Sequence, residues 1–518
     1  MSTYRLQLAV GSTLAALLIP MTGCLVGPKY QKAAATAQAP PASYKESPTQ
    51  FPDSDSWKVA QPQDAMLRGK WWEIYNDPEL NSLEERLNID NQNIKQYFDN
   101  FMEARTLIAQ ARSQLYPTVT TSPSYVRSKA SSNLQNSSGT GSGTSTGSST
   151  TTSTGQQSTI YSLPLDASWA PDLWGKVRNT IREYQYAAQL SAADLENERL
   201  TEQASLAVYF FELRGQDALE DLYNKTVEAD RKALDLTRSL YETGIDDQIS
   251  VVEATNTLQN AQAAATNLGV ARAQYEHAIA VLVGANASAF SVPVKPLDAA
   301  PPAIPIGVPS QLLERRPDIA ASERTMAAAN AQIGIATAAF YPNLTLTATG
   351  GFESSAIGKL LDLSSGFWSV GSTAAETVFD AGLRRATVNQ YKEAYNADVA
   401  GYRQTVLAAF QQVEDSLAAT RILSRQIQQQ QLAAQSAQQY VDLETGRYET
   451  GVDPYVDVVI AQTTLLSDQQ TLATLHTQVM TASVELIEAL GGGWDSSQLP
   501  TANQVSKKLT GAETAIQK

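Results

Sequence analysis

A single cysteine, Cys24, stands among 518 residues. That count excludes a disulfide framework and a zinc site built from several thiolates. Histidine is nearly as scarce. His277 and His476 are the only two, and both fall in helical patterns. The chain has no glycine-rich phosphate loop, no metal-ligand spacing and no Ser/His/Asp set, and no carboxylate pair stands out as general acid and base. An enzyme is therefore not expected, and neither a cofactor nor a metal. Positive charge is also short: 38 Lys and Arg face 53 Asp and Glu, a net charge of -15. Nucleic acid is an unsuitable partner for such a chain. Charged residues of both signs make up only 18%, while Ala, Gln, Ser and Thr are plentiful. That composition suits long helices packed through small side chains.

The apolar stretch Leu6 to Ile19 is too short to span a membrane stably. With Arg5 before it and Met21-Thr22-Gly23-Cys24 after it, residues 1–23 read as a secretory signal ending in a lipobox-like site. Cys24 is then the acylation residue, anchoring the mature chain without a transmembrane helix. Leu25, rather than Asp, permits export to the outer membrane. Residues 24–75 form a lipidated arm, rich in Pro, Ala and Ser as far as about Pro62, with few apolar anchors.

From Val388 to Leu417 the large apolar residues recur at steps of 3 and 4, averaging about 3.6, the helical period. Gly382 to Gly451 spans 69 residues without proline. One helix of that length would reach roughly 100 Å. The stretch has a copy. Tyr241-Glu242-Thr243-Gly244-Ile245-Asp246 matches Tyr448-Glu449-Thr450-Gly451-Val452-Asp453 at an offset of 207, as Arg178 matches Arg385. The chain is an internal duplication. The first repeat covers 76–292, a proline-rich crossover 293–311, the second repeat 312–491, and a polar, loosely held tail 492–518. Each repeat is expected to hold a helix (about Pro78 to Leu115 in the first), two strands, a long helix and a further helix. Gly244 and Gly451 are the turn glycines.

After Tyr116-Pro117 and Tyr341-Pro342 the period falls to 2. Tyr161, Leu163, Leu165, Ala167 and Trp169 share one face, with Ser162, Pro164, Asp166 and Ser168 on the other. Asn343 to Thr349 alternates likewise, and Thr118 to Val126 and Trp368 to Val378 are weaker strands. Greasy and hydroxylated faces, with a rim of Tyr116, Trp169, Trp174, Tyr341, Phe367 and Trp368, fit a membrane barrel; a soluble sheet with one wet face is the plainer alternative. The Ser-, Thr- and Gly-rich run Ser131 to Thr159 reads as a solvated loop between strands. Four strands cannot close a barrel, which needs at least about 8, and open edges in lipid are costly. Either the strands lie outside a membrane or several chains share one barrel.

Cys24 to Tyr30, Trp71-Trp72, Leu312-Leu313-Glu314-Arg315-Arg316-Pro317-Asp318-Ile319, Ala327 to Thr347 and Phe379-Asp380-Ala381-Gly382 resemble the TolC-like outer-membrane factors, and more narrowly the lipoproteins of RND-type drug efflux pumps. The resemblance covers nearly the whole chain after Met21. It implies a mainly α fold with a small β part. Three chains would share a 12-stranded transmembrane β-barrel, continued by a long α-helical barrel of coiled helices. It also implies a homotrimer in contact with outer-membrane lipids, a periplasmic membrane-fusion adaptor and an inner-membrane RND-type transporter as partners. The activity implied is that of a passive exit duct for drugs or other small compounds. A type I secretion channel shares the fold, and a structural coiled-coil lipoprotein is the remaining alternative. Thr377 and Ala381 depart from the family's usual proline and glycine.

In that family, acids beyond the tip turn narrow the periplasmic mouth. Asp457 matches such a position; Ile460 stands where an aspartate is frequent, and Ser250 and Glu253 occupy the equivalent places in the first repeat. Asp246, Asp247, Asp453, Asp457 and Glu253 are therefore expected at the pore constriction with Ile460. Hydrogen bonds from Tyr448 and Tyr241 would close the gate. The opposing possibility is that these acids merely cap helices.

Overall fold

The computed structural model describes residues 24–36, 43–46, 57–59, 69–129, 157–297, 300–306 and 309–507. The expected signal 1–23, most of the run 131–159 and the last residues of the tail lie outside them. In chain order the main elements are β1 (Trp57–Val59), α1 (Pro78–Asp90), α2 (Gln92–Ser113), β2 (Thr118–Thr121), β3 (Ser124–Lys129), β4 (Gln157–Trp169), α3 (Lys176–Glu242) and α4 (Gln248–Leu282). They continue with β5 (Ile304–Ile306), a helical turn at Leu312–Arg315, α5 (Pro317–Ala338), β6 (Asn343–Ser354), β7 (Gly366–Ala375), α6 (Leu383–Glu449), α7 (Tyr455–Ala489) and α8 (Ala502–Val505).

The duplication extends to the ends of the helices. Both α3 and α6 are 67 residues long, both α4 and α7 are 35, and every boundary is offset by 207. At 1.5 Å per residue the long pair measure roughly 100 Å each. No helix among the described residues is long and apolar enough to cross a membrane.

The expected single helix from Pro78 to Leu115 is instead two. Asp77 caps α1, accepting from Glu79 N at 2.9 Å and Leu80 N at 3.2 Å, with Pro78 in the first turn where its missing N–H costs nothing. The helix then stops at Asn91, which is extended at ψ 128. Arg316, 225 residues on, is extended at ψ 123 between the Leu312–Arg315 turn and α5. Helical propensity alone gave no sign of the break at Asn91. Asn91 is buried, its Oδ1 caps α2 by accepting from Ile94 N at 2.9 Å, and its Nδ2 is bonded to other elements.

Two compact units divide the chain: residues 1–30, 106–184 and 329–394 in one, the rest in the other. The first contains the antiparallel sheet, in the order β2-β4-β6-β7 with β3 also on β4. Thr121 pairs with Leu165 and Ser124 with Ser162 in one continuous register, so β2 and β3 are a single strand interrupted at Ser122-Pro123. Pro123 has no N–H for the ladder. Four strands are thus present as expected, but β4 begins at Gln157, inside the run taken for loop, and ends at Trp169.

The core of the second unit collects Trp71, Leu80, Leu87, Phe210, Leu213 and Ile279, each 1% exposed or less. Full burial of such a side chain is worth about 1.5–3 kcal/mol. The tail is not loose as far as residue 507. Trp494 and Val505 are buried, Gln189 Nε2 donates to Pro500 O at 2.9 Å, and Gln185 Nε2 bonds Ser506 Oγ at 2.9 Å. Two apolar side chains in a polar segment, plus a capping box at Thr501 and Gln504, suffice to dock it. The arm is anchored similarly. Tyr44 is buried, Glu46 pairs with Arg421 at 2.7 Å, and the N–H groups of Lys45 and Glu46 donate to Glu414 at 2.7 and 3.2 Å.

Candidate gate at the helix tips

Each long helix ends in a turn whose glycine has positive φ, Gly244 at 78° and Gly451 at 71°. Side chains other than glycine rarely adopt that conformation. The turns bring two sets of polar residues together.

In the first set, the Tyr448 hydroxyl reaches across from α6. It donates to Asp246 Oδ2 at 2.5 Å, and Thr237 Oγ1 lies 3.3 Å from the same hydroxyl. Ser250 Oγ and the Asp247 N–H both donate to Asp246 Oδ1 at 2.8 Å. Burial pushes the Asp246 carboxyl up, but hydrogen bonds from Tyr448, Ser250 and the Asp247 N–H outweigh it and hold the group below its ordinary value. Burial, then the bond to Asp246, pushes the Tyr448 phenol up to about 12. Tyr448 also packs at 5.3 Å on the Tyr455 ring, over Leu234, Ala254 and Val458. The bond therefore sits in a partly dry setting, where it is stronger than in water.

In the second set, Asp453 is held by a forked contact from the Arg447 guanidinium, with Nη2 to Oδ1 at 3.0 Å. Carboxylate oxygens of Glu444, Asp453 and Asp457 lie within 4.8 Å of one another. Partial burial and the neighbouring Asp453 raise Glu444, while Arg447 holds Asp453 down. The offset of 207 carries Thr237, Asp246 and Ser250 onto Glu444, Asp453 and Asp457. One repeat thus fills three positions with a neutral-flanked lock, and the other fills them with three acids.

The remaining tip residues are dispersed. Asp247 is the cap of α4, accepting from Ile249 N and Ser250 N at 3.0 and 3.1 Å. Tyr241 is largely exposed and takes no part in the Tyr448 network. Glu253 is half-buried, and Ile460 is 51% exposed, so it packs into no core of its own chain. Thr237, Arg447 and Glu444 were missed from sequence, whereas Ser250 was placed there as the repeat partner of Asp457. The offset alone could have found Glu444, because it maps onto Thr237.

In the first unit, Leu163, Leu165, Ala167 and Trp169 pair with Phe352, Gly350, Ala348 and Leu346, which pair in turn with Gly366, Trp368, Val370 and Ser372. This face is mostly apolar. The opposite face runs Thr120, Asp166, Thr349, Ser369, with Thr349 Oγ1 donating to Asp166 at 2.7 Å. Tyr116, Trp169, Trp174 and Tyr341 stand at the helix end of the sheet. There Trp169 Nε1 donates to Leu115 O at 3.0 Å, Trp174 Nε1 donates to Pro342 O at 2.8 Å, and the Trp174 and Tyr341 rings stack at 4.8 Å. Phe367 and Trp368 stand at the far end, and strand alternation puts only Trp368 on the apolar face. Cys24 is exposed, and its carbonyl accepts from Arg178 Nη2 at 3.3 Å.

A duplicated set of very long helices with a small, one-sided sheet defines an outer-membrane channel of the helical-barrel type. The sequence model of the outer membrane efflux protein family matches residues 85–285 and 308–492, and the chain belongs to that family. It is 30% identical over 495 residues to the toluene efflux pump outer membrane protein TtgC of Pseudomonas putida, covering 95% of this chain and 97% of that one. It is 28% identical over 504 residues to outer membrane protein OprJ of Pseudomonas aeruginosa, covering 93% and 96%. The outer-membrane channel OprN superposes with a TM-score of 0.79 at 26% identity, over 91% of this chain and all of that chain. The protein is thus an outer-membrane efflux channel, the exit duct of a tripartite pump, and not an enzyme. Its fold is the mainly helical, duplicated one of the trimeric barrels.

Proposed function

We propose that three copies of this chain close one 12-stranded barrel, that Cys24 carries acyl chains, and that the duct is shut at its helix tips until a periplasmic adaptor and an RND-type transporter engage it. Small organic compounds are the cargo, in keeping with a relative named for toluene efflux. Shared closure is supported by the sheet itself. Among the described residues its outer strands β2/β3 and β7 each leave one edge unpaired, and unpaired edges in lipid cost several kcal/mol per group.

The observation that carries the gate is the Tyr448–Asp246 bond between α6 and the α3–α4 turn. It is a single hydrogen bond to a charged acceptor between two helix ends, worth about 1.5–3 kcal/mol. In a threefold assembly the Glu444–Asp453–Asp457 cluster becomes three acidic patches, which would draw cations to the mouth. Single-channel recording in planar bilayers tests the reading. Tyr448→Phe should raise resting conductance several-fold with the trimer intact by mass. A conducting monomer, or a Tyr448→Phe channel as closed as the wild type, would refute it. Acylation is tested separately: the mature chain should start at Cys24 with added acyl mass, and Cys24→Ala should lack that mass yet still form trimers.

A further inference from the structure

The chain is acidic, but the part of its first unit that adjoins the strands at the helix end is not. Segments 24–30, 106–117, 170–184, 329–342 and 376–394 contain eight Lys or Arg and five Asp or Glu, 8 − 5 = +3, against -15 for the whole chain. The rest therefore sums to -15 − 3 = -18. The excess gathers in the first turns of α3 and α6, neither of which has an acid in its first turn. Cations there oppose the helix dipole, which favours negative charge at an N-terminus. Arg178 and Arg384 pair with Asp172 and Asp380, which cap these helices, but helix stability does not account for Lys176 and Arg385.

Their direction is fixed by the arm. Arg178 donates to Cys24 O at 3.3 Å and Asn179 Nδ2 to Val26 O at 2.9 Å, so this face of α3 carries the residues that directly follow Cys24. Arg182 lies one turn further on the same face and is exposed. Lys29 is exposed on the arm itself. Arg385 is the repeat partner of Arg178 at the offset of 207, and Lys392 is two turns further along; both are exposed. The acids nearby are mostly engaged. Asp172 is bound to Arg178 at 3.1 Å, Glu183 accepts from Gln332 Nε2 at 2.8 Å, and Asp380 is bound to Arg384 at 2.6 Å. At the same level the Trp174–Tyr341 stack supplies the amphipathic rings that settle at a bilayer surface.

We infer that Lys29, Arg182, Arg385 and Lys392 form a cationic collar that binds the phosphate headgroups of anionic phospholipids in the periplasmic leaflet. The inference rests on the membrane reading of the sheet and names the lipid class it meets. Clustered Lys and Arg at a bilayer surface attract anionic headgroups within a Debye length. Three chains repeat the collar around the barrel, and the zwitterionic lipids between have no comparable pull toward it.

The full-length acylated protein is reconstituted in nanodiscs of phosphatidylcholine containing a minority of phosphatidylglycerol. Lipids retained on the released trimer are then counted by native mass spectrometry. Wild type should retain phosphatidylglycerol at about fivefold its share in the bilayer, with the enrichment lost in molar salt. The triple variant Arg182→Gln, Arg385→Gln, Lys392→Gln should insert and remain trimeric but retain the two lipids in bilayer proportion. Equal ratios for wild type and variant overturn the collar. So does stabilisation of the detergent-solubilised trimer by inorganic phosphate as strong as that by phosphatidylglycerol, which would assign the site to a free anion. Failure of the wild type to enter the bilayer is a different result and overturns the membrane reading itself.

Discussion

Asn91 and Arg316 stand at the same position of the two repeats and hold the same point of the structure by different chemistry. Asn91 Nδ2 donates to the carbonyl of Leu282 at 2.9 Å, and Arg316 Nη1 donates to the carbonyl of Ala489 at 2.9 Å. Leu282 and Ala489 are the last residues of α4 and α7, where helical carbonyls lack internal partners. Arg316 adds a fork to Asp318, at 3.0 and 2.7 Å, while Asn91 leans on Glu202 at 3.2 Å.

Removing these side chains should cost unequally. Arg316→Ala leaves the Ala489 carbonyl and the Asp318 carboxylate unmatched, and should cost about 2–4 kcal/mol. Arg316→Asn copies the first repeat and should restore part of that loss. Denaturant unfolding of the three proteins decides it, and equal loss in both variants would show that the helix-end bond is immaterial.

The gate bond should resist acid. Asp246 is depressed in the folded state, so its contribution is present above the unfolded value and fades only as pH falls through the lower folded one. Resting conductance of wild type should therefore stay low down to below the ordinary aspartate value near 3.8. Asp246→Asn should be leaky at neutral pH, by severalfold. An opening midpoint near pH 6 would place control elsewhere.

Asp457 and Ile460 should separate selectivity from closure. Asp457→Ala removes one acid of the Glu444 cluster and should weaken cation preference and divalent block, with trimer stability within about 0.5 kcal/mol of wild type. Ile460→Ala removes an exposed apolar side chain and should raise leak more than it shifts reversal potential. If Asp457→Ala keeps the wild-type reversal potential and block, that residue serves only the first turn of α7.

Glu84 gives a stability prediction away from the gate. It is fully buried in α1, neither carboxylate oxygen has a hydrogen-bond partner among the described residues, and burial raises it well above the usual range. The folded state then holds its proton more tightly, so stability falls as pH rises from about 4.5 through the folded value. Glu84→Gln should leave stability unchanged below pH 4 and should flatten that decline, raising the melting point by roughly a degree or more at neutral pH. A steeper decline in the variant would contradict the assignment.

Much of this architecture could be read from periodicity and repetition. The 207-residue offset located both tip turns, and the alternation at Tyr161 to Trp169 located a one-sided strand. What stayed hidden depends on contacts distant in sequence. The break at Asn91 has a local part, the cap its Oδ1 gives Ile94 N, and a distant part in Glu202 and the end of α4. Trp494 and Val505 look stranded in a polar tail until α3 is beside them. Thr237 meets Tyr448 only because α6 brings that tyrosine to it, and Tyr241, the matching tyrosine, lies outside this hydrogen-bond network. Ile460 is half exposed in its own chain, as a residue placed at a pore mouth would be.

The close passage of Gly27 over α5 has a mechanical consequence. A Cβ on Gly27 would lie 2.5 Å from the Cα of Gly334, and Val26 and Pro28 on either side are bonded to Asn179 and Asn330. Only two residues, Leu25 and Val26, lie between that fixed point and Cys24, about 10 Å of fully extended chain. An acyl group on Cys24 therefore has almost no leash. It would act less like a mooring rope than like a bolt, setting the height at which each protomer meets the bilayer and denying it free rotation in the plane.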